Sequence, residues 1–257
     1  MNFEIALNYW EIFLLVLVRV ASFIYTAPFF GMAGVPQRTK LGLAVFLSIL
    51  IFMLIPDRTL EYTGILDYAT LVLKESVIGL LLGFVCNLCV QTITFAGHII
   101  DMNIGLSMAS MFDPATKTQQ TVSGTFYYYA VMLLMMVSGL YQFLLAAIID
   151  TYAVIPIGEM TVNVSLYDSV VEMLADYFIV GFRIALPVFV AVMLMNAILG
   201  ILTKVASQLN MFAVGIQMKL LIGLGIMFLT VEMLPSVSTF IMNMMEQAAK
   251  SIVGGLS

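Results

Sequence analysis

The sequence predicts an all-α, polytopic integral membrane protein, and three observations carry that reading. Of its 257 residues, 62% are hydrophobic and only 10% are charged. The mean hydropathy is +1.09, far above that of an ordinary soluble domain. The apolar residues gather in about six continuous runs, each near the roughly 20 residues a helix needs to cross a hydrocarbon core. Within the runs polar and apolar residues do not alternate, as they do over the ~10-residue segments of a membrane β-barrel.

The first run, residues 12–33, follows "MNFEIALNYWEIF". That opening has neither a basic n-region nor a small-residue cleavage site, so the run is expected to be a retained helix and not a cleaved signal. The second run, residues 41–56, is short for a span, whereas the third, residues 69–100, is long enough to tilt or to continue past the bilayer. In the third run Glu75, Gly79 and Gly83 recur every four residues, which puts them on one helix face with Cys86 beyond them. Small-residue faces let a second helix approach closely. The stripe is therefore expected to serve helix packing in an assembly.

Between the third run and the fourth, residues 126–149, lies "GLSMASMFDPATKTQQTVSG", Gly105 to Gly124. Connections of this length without secondary structure are uncommon in compact folds and tend to be functional. Gly105 permits a backbone bend, and Asp113-Pro114 favours a turn. Met108, Met111 and Phe112 are isolated large apolar side chains in polar surroundings. The fifth run covers residues 170–201 and the sixth residues 211–234. The stretch joining them places Asn196, Gly200, Thr203, Lys204, Ser207, Gln208 and Asn210 before Lys219. Polar side chains at this density bridge helices or wet a cavity, or form a plain turn.

Burying a charge in hydrocarbon costs at least about 2.5 kcal/mol and calls for a partner or water. Arg19, Glu75, Asp101, Arg183 and Glu232 fall within or beside apolar runs, so each is expected to pair with another helix or to line a polar path. Arg38, Lys40, Lys117, Lys204 and Lys219 occupy alternate connections. By the excess of basic residues in cytoplasmic loops, both termini are expected outside the cytoplasm and the Gly105 loop inside it.

Ten Lys and Arg against 15 Asp and Glu, spread along the chain, form no basic patch for nucleic acid. No phosphate-binding loop and no nucleophile-base motif is present. Cys86 and Cys89 form "CNLC", yet with His98 as the lone histidine they cannot complete a four-ligand zinc site. They are read as small packing residues. The expectation is a non-enzymatic chain with no cofactor and no metal. The 20 methionines, clustered at Met132, Met135 and Met136, at Met193 and Met195, and at Met242, Met244 and Met245, suit irregular apolar surfaces.

Four stretches in order, "RVASFIYTAPFFGMAGVPQRTKLGLAV", "LKESVIGLLLGF", "AGHIIDMNIGLSMASMFDP" and "KVASQLNMFAVGIQMK", resemble the successive signatures of the FliR family of flagellar type III export components. Ser207 and Gln217 stand where that family often has proline. The resemblance implies tilted helical hairpins in a hetero-oligomeric helical assembly, with residues 1–257 forming one membrane-embedded domain. It implies FliP, FliQ and FlhB as partners, unfolded flagellar proteins as cargo, and a place in the bacterial inner membrane at the flagellar basal body. It further implies that the loop of about residues 104–122 plugs the closed pore, with Gly105, Met108, Met111, Phe112, Asp113 and Pro114 as its parts. Helix packing or assembly is then the expected role of Arg19, Glu75, Gly79, Gly83, Asp101, Arg183, Gln208, Asn210 and Lys219. A secondary transporter of a small solute is the alternative, since unpaired charges and glycine-broken helices also mark substrate sites there.

Overall fold

A computed structural model describes residues 3–55, 62, 64–107, 121–205 and 211–257. The described residues are mostly helical and contain no strand. Helix α1, Phe3–Thr26, ends where Ala27 precedes Pro28, a dipeptide that disfavours continued helix. The chain then turns through Phe29, whose φ is +68°. Lys40 Nζ donates to the Gly31 carbonyl at 2.9 Å, tying this turn to α2, Gln37–Leu54.

Helix α3, Ile65–Ile104, runs for 40 residues and stops at Gly105, whose φ of +92° is the left-handed geometry that glycine adopts at helix ends. Its start is held to α1 by Glu11: Tyr62 donates to the carboxylate at 2.6 Å, and Tyr68 to the main-chain carbonyl at 3.1 Å. The hydrogen bond to Glu11 holds the Tyr62 phenol above its usual range.

Two differences from the sequence expectation follow. The run at residues 126–149 is not one helix. It divides into α4, Val122–Val137, and α5, Leu140–Val154, because Gly139 takes a φ of +96° between them. The sixth run does not end at residue 234. Helix α7, Met211–Thr230, passes through a 3-10 turn, Val231–Met233, into α8, Leu234–Gly255. Between these lies α6, Val164–Val205, 42 residues long with Pro187 inside it. Five described helical stretches are long and apolar enough to cross a membrane, six if the pair broken at Gly139 is counted as one. The protein is a polytopic helical membrane protein.

The chain divides into two compact units. One comprises residues 1–89, 139–174 and 242–257, with a core of Ile78, Val85, Ile155, Met173, Ile252 and Leu256. Residues after α5 are stitched to the chain end by Thr161 N–H to Leu256 O at 3.2 Å and Asn163 N–H to Gly255 O at 3.0 Å. The other comprises residues 90–138 and 175–241. Here Phe95 lies over Gly181 and meets the rings of Tyr177, Phe178 and Phe182 at 5.2–5.9 Å between centroids. Lipid tails are as apolar as leucine, so burial of apolar side chains alone gives helices in a bilayer little reason to choose one neighbour. Close glycine contacts and polar pairs decide the packing instead.

Candidate functional site

In the first unit Arg19 and Glu75 form a fully buried ion pair. Arg19 Nε donates to Glu75 Oε2 at 2.5 Å and Nη2 to Oε1 at 3.1 Å, the two-pronged geometry that suits a guanidinium and a carboxylate. The remaining prong, Nη1, donates to Thr151 Oγ1 at 3.2 Å and to the Ile155 carbonyl at 3.1 Å. The guanidinium lies 4.2 Å from the centre of the Tyr152 ring. Glu75 Oε1 also accepts the Gly158 N–H at 2.8 Å, and Lys74 Nζ donates to the Gly158 carbonyl at 3.2 Å. Gly158 has a φ of +81°, which lets the loop after α5 bring its amide to the carboxylate without strain.

Two charges withdrawn from water are tolerated only with such complete hydrogen bonding. The network joins α1, α3, α5 and the following loop through one centre. Sequence reading singled out Arg19 and Glu75 but missed Thr151, Tyr152, Ile155 and Gly158, whose roles rest on contacts across more than 80 residues.

The glycine stripe below Glu75 faces α1 of the same chain. A Cβ on Gly79 would strike the Arg19 carbonyl and Ser22 Oγ. One on Gly83 would strike Thr26 Oγ1 and the backbone at Phe23 and Ala27. Glycine here sets how closely α3 approaches α1 and hence how Glu75 reaches Arg19. Cys86 and Cys89 continue inward as buried thiols. Among the described residues no three His, Cys, Asp or Glu side chains gather as a metal site.

In the second unit, Asp101 and Gly105 stand at one end of the polar connection and Thr121 to Gly124 at the other. Asp101 is buried, and both its carboxylate oxygens lie 3.3 Å from the Ser123 N–H. It therefore occupies the position of a helix cap for α4, where the exposed amides and the helix dipole favour an anion. Thr121, the residue at the cap position, makes no such bond. Gly97 and Gly124 meet so closely that a Cβ on Gly97 would overlap the Gly124 backbone. Ser123 Oγ donates to Met227 Sδ at 3.3 Å, while Tyr127 and Thr230 pair their hydroxyls at 2.9 Å, fastening α4 to α7. Beside this neck is a polar cavity of about 210 Å³ lined by Gln91, Thr94, His98, Thr121, Thr125 and Tyr128 among others. Met108, Met111, Phe112, Asp113 and Pro114 lie outside the described residues, as do Gln208 and Asn210.

Arg183 is exposed on α6, as are Asp168, Glu172 and Asp176. Asp168 and Glu172, four residues apart, share a helix face in the first unit, and Asp176 and Arg183, seven apart, share one in the second. Glu232 is exposed in the 3-10 turn, and Lys219 is half-buried on α7. Arg183, Lys219 and Glu232 have no ion-pair partner among the described residues.

The chain matches the family described as "Bacterial export proteins, family 1" over residues 10–245. It is 30% identical over 214 residues to the flagellar biosynthetic protein FliR of Bacillus subtilis (strain 168), spanning 82% of each chain. To FliR of Escherichia coli (strain K12) it is 28% identical over 223 residues, 86% of this chain and 84% of that one. To FliR of Aquifex aeolicus (strain VF5) it is 25% identical over 216 residues, 84% and 83% of the two chains.

Proposed function

This chain belongs to the bacterial export proteins, family 1, and from that premise we propose that it is a structural, non-catalytic component of the flagellar type III export gate. It forms with FliP and FliQ the pore for unfolded flagellar subunits in the bacterial inner membrane, with FlhB as a further neighbour. The loop of residues 104–122 plugs the closed pore. Met108, Met111 and Phe112 occlude, and an arriving unfolded chain displaces them.

One observation carries the assembly: the long apolar helices are not completed within the chain. Only 28% of the most apolar stretch of residues 164–205 is buried, and 17% of that of residues 214–255. Lipid would cover an apolar face, but each of the exposed charges Asp168, Glu172, Asp176 and Arg183 on α6 is costly against hydrocarbon. Protein neighbours or a wet lumen satisfy it. For the plug, the support is that Asp101 on α3 and Ser123 on α4 hold the two ends of the loop together.

The test is deletion of Leu106 to Gln120 in the assembled complex, followed by measurement of small-solute entry into cells. Leakage is expected. Unchanged permeability in a complex of normal composition would refute the plug.

A further inference from the structure

Within the second unit, a groove of about 290 Å³ runs beside Arg183. Tyr127, Val180 and Leu234 lie buried beneath it, and Ile184 and Phe240 form part of its walls. The polar atoms around it can be counted. Tyr127 gives its proton to Thr230 Oγ1, because the Thr230 hydroxyl donates to the Met227 carbonyl at 2.9 Å. Ser236 Oγ donates to the Met233 carbonyl at 2.8 Å. Every hydroxyl proton in the lining is therefore used within the chain. Among the side chains of the lining, that leaves spare donors on Arg183, which makes no hydrogen bond or ion pair among the described residues.

A lone guanidinium fork in an apolar groove is the complement of a carboxylate, whose two oxygens it satisfies in one planar, two-pronged contact. The position of Arg183 indicates the source of that carboxylate. It lies 19 residues after Val164 and 22 before Val205, about 28 Å and 33 Å along the helix at 1.5 Å per residue. Phe182 and Ile184 flank it, Asp176 lies seven residues before it, and the helix beyond is apolar to Leu202 apart from Asn196. Lipid phosphates lie at the two bilayer surfaces, outside the hydrocarbon core, whereas an acidic side chain on a neighbouring helix can stand at any depth. We propose that this groove docks an apolar helix of a neighbouring subunit, which places one Asp or Glu against Arg183. The inference rests on the gate reading above and names the chemistry of one contact within it.

The experiment uses the assembly purified from cells through a tag on this chain, with a benzoylphenylalanine photocrosslinker at Val237 and crosslinks mapped by mass spectrometry. The expected crosslink is to an apolar helix carrying an acidic residue. Arg183→Glu should lower the yield of that neighbour at least tenfold, and Arg183→Lys less, because the ammonium lacks the fork. Reversing the acidic residue on the crosslinked helix to Arg should restore assembly with Arg183→Glu. That rescue excludes misfolding as the cause. A crosslink to phospholipid alone, normal assembly with Arg183→Glu, or failure of the charge reversal to rescue would each overturn the proposal. If the unaltered chain purifies without neighbours, the gate reading itself falls; if it assembles and Arg183→Glu does too, only the docking contact falls.

Discussion

The Asp101 carboxylate takes the amide of Ser123, 22 residues further along the chain, with both oxygens at 3.3 Å. One contact thus ties the last turn of α3 to the first turn of α4 and closes the base of the connection between them. The Gly97–Gly124 contact beside it brings the two backbones near enough for the carboxylate to reach. Without a side chain at either glycine, sterics no longer separate the helices and the anion meets the positive end of α4.

Asp101→Ala should therefore destabilise the protein by about 1–2 kcal/mol through loss of the cap. For a chain of this size that is a fall in Tm of about 2–8 °C. Asp101→Asn keeps an acceptor for the Ser123 amide and should lose about half as much. Thermal unfolding in mild detergent, followed by circular dichroism, measures both. If the loop plugs a pore, Asp101→Ala should also raise solute leakage in an assembled complex, because the base of the loop is no longer held.

The Arg19–Glu75 pair makes a different prediction. Removing one partner leaves the other buried and uncompensated, so Glu75→Leu or Arg19→Met alone should cost about 3–5 kcal/mol. The double variant should regain most of that loss, since an apolar pair of similar volume leaves no charge behind. A double-mutant cycle on unfolding free energies gives the coupling directly. Strictly additive losses would show that the pair is not the organising contact of α1 and α3.

Glycines on α2 and α3 separate packing from propensity. Gly79→Ala forces a Cβ into the Arg19 carbonyl and should cost about 1–3 kcal/mol. Gly79→Leu should cost more and, if the chain assembles with FliP and FliQ as proposed, reduce their co-purification. Gly42 is also in a helix interior, but nothing lies within 4 Å of its would-be Cβ. Gly42→Ala should stabilise by up to about 1 kcal/mol through helix propensity alone. Equal effects at the two positions would contradict the close contact.

Hydropathy made the long apolar helices legible, and the unusual residue types within them marked Arg19, Glu75, Asp101 and Arg183. It did not reveal partners, because a buried ion pair is a relation between segments 56 residues apart and one sequence carries no record of it. Helix α8 was missed for a nearer reason. A window that rewards continuous apolarity passes over "IMNMMEQAAKSIVGG", whose buried Ile241, Met245, Ala249 and Ile252 recur at spacings of four, four and three. That period is the helical signal. The Gly139 break likewise had a local sign in Ser138-Gly139, a turn-forming dipeptide, hidden inside a run that hydropathy treats as uniform.

The paired cysteines give a last prediction, and it bears on what kind of protein this is. A redox or metal-binding "CNLC" has to expose a thiolate, because the thiolate is both the nucleophile and the ligand. Cys86 is fully buried and Cys89 is 1% exposed, on the inner side of α3, where they act as small apolar fillers. Neither should react with maleimide in the folded protein, and both should react after denaturation, as counted by intact mass. Cys86→Ala with Cys89→Ala should leave assembly and export intact, at a stability cost of at most a few kcal/mol from the small cavities left behind. Rapid labelling of the native chain, or loss of export in a double variant that still assembles, would instead assign the pair a chemical role.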